Sequence, residues 1–305
     1  MIFQQTLGNK AKFSGIGLHT GKLITLTLRP AEGGTGIVFH RVDLAPAVSI
    51  EARAANVVST RLSTTIGRGD ASVSTIEHLM AALYGCGIDN AHVDINGPEV
   101  PIMDGSAAPF VAGIVKAGSK GCGKARKYLV IKKPVTVVEG DKKISIIPSR
   151  HYKISFDMQF AHPAVRNQSR SMLFTQAIFA EEYASARTFG FLAEVETLKA
   201  HGLALGGSLE NAVVIGDDGV LNEEGLRFPD EFVRHKILDS VGDLALAGHR
   251  LIGHVKSAKS GHDLNHKLVT ELLRRPDCFA LVELTPQASS APFNLSLPEF
   301  TWLEA

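Results

Sequence analysis

Apolar residues gather into short strand-like stretches at Leu23 to Leu28 and Gly36 to His40, and the turn-rich run Pro30-Ala31-Glu32-Gly33-Gly34 between them predicts a hairpin. A helical stretch follows from Thr75 to Tyr84, then a strand from Ala91 to Ile95, a loop punctuated by Pro98, Pro101 and Gly105, and a helix from Ala108 to Ala117. The second half of the chain repeats this series. Strands are expected from Tyr128 to Val138 and from Lys143 to Ile147, a helix from Glu231 to Leu246 and a strand from Leu251 to Lys256. After the loop Ser260-Gly261-His262 comes a last helix from Leu264 to Arg274. In both halves the order is hairpin, helix with a histidine near its start, strand, loop and helix, which suggests a duplication. The small, polar, glycine-rich run Gly118 to Lys124 reads as a connector and divides the chain into domains 1–123 and 124–305. Phe189 to Ile215 has no counterpart in the first half and reads as an insertion in the second.

The helix expected from Glu231 sorts its residues by type. At about 100° per residue, Val233, Ile237, Leu238, Val241, Leu244 and Ala245 fall on one side, and His235, Asp239 and Asp243 lie along the other. An imidazole and a carboxylate one turn apart suit a borderline-soft cation such as Zn²⁺, which needs one more protein ligand and an open position to become catalytic. The same residues also suit a solvated helix face carrying an i,i+4 ion pair. Glu77-His78, in the first turn of the earlier helix, offers the missing ligand and a proton acceptor. Yet Ser74-Thr75-Ile76-Glu77 equally fits the S-x-x-E capping box, in which the glutamate closes the helix start.

Other side chains carry the same double reading. His262 stands in a loop where an imidazole can be aimed at a substrate, or it is an exposed histidine at a helix start. Asp243 suits the task of favouring the charged form of a nearby imidazole. Lys236 and Lys259 are surface lysines, or they meet a phosphate or developing negative charge. Arg187-Thr188-Phe189-Gly190-Phe191 is a strand end with core phenylalanines, or it offers a hydroxyl to an oxyanion. Gly15-Ile16-Gly17 and Gly206-Gly207 fit neither G-x-G-x-x-G nor a P-loop, so neither argues for a nucleotide fold.

Composition narrows the field. With 305 residues, 45% hydrophobic and 21% charged, the chain can bury a substantial core, and its length favours two domains. Thirty-two basic against 31 acidic residues leave a formal charge of +1, so no global field points to nucleic acid or to an anionic membrane. No run of about 18 apolar residues occurs, and Met1 to Leu7 lack the basic start and apolar core of a signal peptide, which predicts a cytoplasmic protein without a transmembrane segment. The 3 cysteines, Cys86, Cys122 and Cys278, show no C-x-x-C spacing, so a metal must be held by histidine and carboxylate.

Taken together, Gly15-Ile16-Gly17-Leu18-His19-Thr20-Gly21, Ser74-Thr75-Ile76-Glu77-His78-Leu79 and Pro101-Ile102-Met103-Asp104-Gly105-Ser106-Ala107 look like the signatures of one family. Ala186 to Phe191, Phe232 to Asp239 and Lys259-Ser260-Gly261-His262 agree with it. Nearly the whole chain, in order, resembles the UDP-3-O-acyl-N-acetylglucosamine deacetylases, zinc amidases of lipid A biosynthesis. The resemblance implies an α+β fold of two similar domains, each a layer of helices against a sheet, with the active site in the cleft between them. It implies that His78, His235 and Asp239 bind Zn²⁺, that Glu77 is the general base, and that His262 protonates the leaving amine with Asp243 keeping it charged and oriented. Thr188 would stabilise the oxyanion with Lys236 assisting. Phe189, Phe191, Lys259 and the insertion residues Leu203, Gly207, Ser208, Ala212 and Val214 would meet the acylated UDP-sugar, the apolar ones lining a passage for its acyl chain. Two rivals remain at this point. A nucleotide-sugar or lipid-binding protein with a structural zinc would need four protein ligands where three are identified. A zinc peptidase would carry H-E-x-x-H, which is absent.

Overall fold

The computed structural model describes residues 2–284. Its first half contains β1 (Phe3–Leu7), β2 (Ala11–Ile16), β3 (Leu23–Pro30), β4 (Ile37–Arg41), β5 (Val48–Glu51), β6 (Val57–Ser59), β7 (Thr65–Arg68), β8 (Ala71–Val73), α1 (Glu77–Gly85), β9 (Ala91–Ile95), α2 (Ala108–Ala117) and β10 (Ser119–Ala125). The second half opens with β11 (Lys127–Ile131), β12 (Val135–Glu139), β13 (Lys142–Ile147), β14 (Tyr152–Met158), β15 (Gln168–Leu173) and the short α3 (Gln176–Ile178). It continues with β16 (Phe189–Phe191), α4 (Leu192–Ala200), β17 (Val213–Gly216), β18 (Gly219–Val220), α5 (Glu231–Leu244), β19 (Arg250–Ala258), α6 (His262–Arg274) and β20 (Phe279–Glu283). The fold is α+β.

The repeat expected from the element order is written in the hydrogen bonding. The first sheet runs β2-β3-β9-β4-β5, with β4 parallel to β9 and every other neighbour antiparallel. In the second half the path β12-β13-β19-β14-β15 has the same order and the same senses, with β14 parallel to β19. There β11 and β20 extend the sheet beyond the shared plan. One helix precedes each central strand and one follows it: α1 and α2 around β9, α5 and α6 around β19.

Strand residues alternate as a sheet with one covered face requires: Ala91, Val93 and Ile95 are buried while His92 and Asp94 between them are only half-buried. The covering helices lie between the sheets. Helix α2 packs on β2, where the rings of Phe110 and Phe13 meet edge to face at 5.1 Å, and α1 packs against α5. All 9 residues of α1 are buried, so Leu79, Met80 and Leu83 each contribute about 1.5–3 kcal/mol of apolar burial. A Cβ on Gly242 of α5 would sit 2.0 Å from the Glu77 carbonyl oxygen, so a glycine is required for this close helix crossing. One apolar cluster runs through both halves.

Several boundaries differ from expectation for local reasons. The stretch Tyr128 to Val138 is two strands, because Pro134 has no N–H for the ladder and the chain turns there. The expected connector Gly118 to Lys124 is instead mostly strand β10, which pairs with β1 through Gln5↔Gly121 and Leu7↔Ser119. Its small residues suit close pairing, a use that composition alone does not distinguish from a linker. Helix α1 starts at Glu77 rather than Thr75, whose φ of +57° places it in the left-handed region. Among the described residues no helix is long and apolar enough to cross a membrane.

Candidate metal centre and its acid-base neighbours

Glu77 and His78 open α1, and His235 and Asp239 lie one turn apart on α5, so the α1/α5 crossing itself brings them together. One nitrogen or carboxylate oxygen from each of His78, His235 and Asp239 falls within 4.8 Å of the other two. The Nε2 atoms of His235 and His78 lie 3.2 and 3.5 Å from Asp239 Oδ1, and the two rings stand nearly perpendicular with centroids 5.0 Å apart. This stripe of α5 is not a solvated face: His235, Asp239 and Asp243 are as buried as the apolar side, because α1 covers them.

Whether these residues fit a metal can be read from their hydrogen bonds. His235 Nδ1 is 3.0 Å from the Ala186 carbonyl, to which it must donate, and this leaves Nε2 with a lone pair. Burial pushes the His235 pKa down to about 3, so the ring is neutral. Burial also opposes ionisation of Asp239, but the nearby positive charge of Lys236 helps to hold its carboxyl well below the usual range. Lys236 Nζ donates to Asp239 Oδ2 at 3.1 Å, whereas Oδ1 is buried with no hydrogen-bond partner. A lone pair and an unpartnered carboxylate oxygen facing each other inside a protein are costly, and a shared cation removes the cost. The set of two imidazoles and one carboxylate suits Zn²⁺ with room for a further ligand.

The capping reading of Glu77 fails. The residue at the helix start, Ile76, has no side-chain cap, and Glu77 Oε2 accepts from the backbone N–H of Thr64 at 3.0 Å. Its Oε1 faces His262 Nε2 across 3.9 Å. His262 begins α6 and its Nδ1 lies 2.8 Å from Asp243 Oδ2. Asp243 also accepts from Thr64 Oγ1 at 2.6 Å and from Asn265 Nδ2 at 2.9 Å, so the carboxylate is fixed on all sides. Burial works against a charged His262, yet the carboxylates of Asp243 and Glu77 outweigh it and push its pKa up to about 9. Burial also raises Glu77.

Around this centre the remaining expected residues take definite places. Thr188 is half-buried; its N–H donates to the Gly105 carbonyl at 2.8 Å and its carbonyl accepts from Val213 N–H. Arg187 beside it is fully buried on Glu231 at 2.9 Å, so the neighbouring backbone is held by an ion pair. Lys236 Nζ lies 5.5 Å over the Phe189 ring, and Phe189 packs on Phe232 and Phe160. Phe191 also meets Phe160, at 5.8 Å. Lys259, in the left-handed region at φ +52°, pairs with Asp141 at 2.7 Å. The insertion reaches across to the first half: Leu205 and Gly206 donate backbone hydrogen bonds to the carbonyls of His19 and Leu18. Gly207, Ala212 and Val214 are half-buried along it.

Thr64, Asn265 and the Ala186 carbonyl were not singled out from sequence. Asn265 follows His262 by three positions on α6 and was within reach of a helical-face argument. Thr64 touches Asp243 across 179 positions, which no local pattern records.

The chain matches the family model described as UDP-3-O-acyl N-acetylglycosamine deacetylase over residues 4–274. It is 83% identical over 305 residues, the full length of both chains, to a UDP-3-O-acyl-N-acetylglucosamine deacetylase of Geobacter sp. (strain M21). Identity is 70% over 306 residues, again covering both chains fully, with the protein of that name from Geotalea uraniireducens (strain Rf4). With that of Pseudomonas entomophila (strain L48) it is 49% over 300 residues, or 98% of this chain and 99% of the other.

Proposed function

The chain belongs to the UDP-3-O-acyl N-acetylglycosamine deacetylase family, and from that premise we propose that it hydrolyses the acetamide of UDP-3-O-acyl-N-acetylglucosamine to a free amine and acetate, a Zn²⁺-dependent step of lipid A biosynthesis. The observation that carries this reading is the pairing, at one helix crossing, of a metal-type donor trio with an acid and a base held 3.9 Å apart. His78, His235 and Asp239 hold the ion. When bound, Zn²⁺ supplies Lewis acidity, lowering the pKa of water and polarising a carbonyl oxygen.

The chain's own residues handle the protons and the charge. Glu77 takes a proton from the water whose oxygen attacks the acetamide carbon. His262, kept protonated by Asp243, gives a proton to the sugar nitrogen as the carbon–nitrogen bond breaks, so that acetate and amine leave. Thr188, with its backbone tied to Gly105, offers a hydroxyl to the oxyanion, and Lys236 adds positive charge nearby. Phe189, Phe191 and Lys259 meet the substrate, while Leu203, Gly207, Ala212 and Val214 line its acyl chain. The halves 1–123 and 124–305 act as two domains that close on the site from either side. Such an enzyme works in the cytoplasm, where its UDP-sugar is made.

Zinc content measured together with acetate release from the acylated UDP-sugar tests the reading. One ion per chain and release that depends on it are expected. Activity on peptides in place of the UDP-sugar, or full activity in metal-free protein, overturns it.

A further inference from the structure

Beyond the proposed site, Tyr84 near the end of α1 and Ala245, Ala247 and Gly248 just past the end of α5 line a separate cavity of about 290 Å³ between the two halves. Its charged lining is one-sided. Arg53, Lys124, Arg126, Lys127 and Arg250 contribute to it, and Asp89 is its one carboxylate.

Asp89 is already shared between two guanidiniums. Its Oδ2 accepts from Arg126 at 2.6 and 2.9 Å and from the Gln5 N–H at 2.8 Å, and its Oδ1 accepts from Arg250 at 3.2 Å. Both arginines are fixed in place. Arg250 lies 4.2 Å over the Tyr84 ring and donates to the Tyr84 carbonyl at 2.5 Å, and Arg126 donates to the Gly87 carbonyl at 3.0 Å. Two cations on one anion, with side chains only 10–14% exposed, leave an excess positive charge where water screens it poorly. Arg53 is paired with Glu51, but Lys124 and Lys127 form no ion pair among the described residues. A structural bridge between halves needs no such excess, and an anion would remove it.

We propose that this cavity binds a small phosphomonoester, its phosphate at Arg126 and Arg250 with Lys124 and Lys127 at the mouth. The guanidinium N–H groups not spent on Asp89 and the backbone carbonyls, together with two exposed ammonium groups, favour a phosphate dianion over a single carboxylate. The volume is near the lower end of the roughly 300–1,000 Å³ of small-molecule pockets, which suits a small ligand.

Calorimetric titration of the full-length, zinc-loaded protein with glycerol 3-phosphate tests this, with UDP present throughout to occupy the substrate cleft. Saturable binding at one site per chain is expected. Lys124→Ala/Lys127→Ala, at exposed positions, should weaken it about tenfold or more, the cost of removing charge-assisted contacts. Deacetylation without the phosphomonoester should stay within about twofold, as for other surface changes. Arg126→Lys, which keeps the charge but not the remaining guanidinium N–H groups, should weaken binding as well. Competition by vesicles containing phosphatidic acid would assign the phosphate to a lipid headgroup, and its failure to a soluble metabolite. No saturable heat, binding unchanged in the double lysine variant, or equal binding of chloride overturns the proposal, whatever the fate of the deacetylase reading.

Discussion

His235 on α5 and His262 at the start of α6 are both largely withdrawn from water, yet the pKa of one is pushed down to about 3 and that of the other up to about 9. Burial opposes charge at both. The difference lies in the carboxylates. Asp239 is divided between His235, His78 and Lys236, while His262 has Asp243 against one nitrogen and Glu77 facing the other. One region therefore keeps lone pairs ready for a cation, and the other keeps a proton ready for a leaving group. Counting anions per imidazole separates a ligand from an acid where burial does not.

The severest way to break this division is to remove the donor trio. Dialysis against a chelator, or His78→Ala, should abolish deacetylation, and restoring Zn²⁺ should rescue the native protein but not the variant. Metal analysis should find the ion missing in both. A His78→Ala protein that retained zinc and turnover would place the ion elsewhere.

Loss of a proton-transfer group should cost less and should spare the metal. Glu77→Gln and His262→Ala should each lower kcat by about 10²- to 10⁴-fold while zinc content stays at one per chain. Asp243→Asn should cost about tenfold to a hundredfold, as outer groups that orient a functional imidazole commonly do. The pH profile then sharpens the contrast. The active form of His262 is protonated, so kcat/KM should hold below its pKa and fall as the pH rises through about 9. With Asp243→Asn the imidazole loses its strongest anionic neighbour and the fall should move to lower pH. A basic limb that stays in place would remove His262 from the role of acid.

Periodicity exposed much of the fold but not the site's surroundings. The amphipathic pattern of α5 put His235, Asp239 and Asp243 on one stripe, and the order of elements disclosed the repeat that the two sheets share. The same pattern suggested that the stripe faces water, because a helix buried on both sides still shows one polar face when that face carries a site. Ser74 to Glu77 satisfied the capping motif in letters alone. Thr75 in the left-handed region ends that geometry, and the Thr64 N–H takes the glutamate instead. Run 118–124 failed for a related reason: a strand held by its partner β1 needs little propensity of its own, and pairing across more than 100 positions leaves no local trace.

The smallest expected effect concerns the insertion, and it asks whether substrate selection can change while both histidine environments stay intact. Each buried methylene contributes about 0.8 kcal/mol, or roughly fourfold in kcat/KM, so the 3-O-acylated UDP-sugar should exceed UDP-N-acetylglucosamine by orders of magnitude. The insertion hydrogen-bonds to His19 and Leu18 of the other half, which argues against its apolar residues serving only to pack their own domain. A Cβ at Gly207 would meet Ala204 and Leu18 only at 3.4 and 3.6 Å, ordinary contact distances, so a side chain there starts without a clash and lies beside Leu18. Gly207→Val and Ala212→Phe should therefore erode the preference for the acylated substrate by about fourfold for each methylene displaced. Bound zinc and the basic limb near pH 9 should not move. Equal rates on the two substrates in the unaltered protein would remove the passage, and loss of zinc in either variant would mean that the insertion supports the donor trio instead.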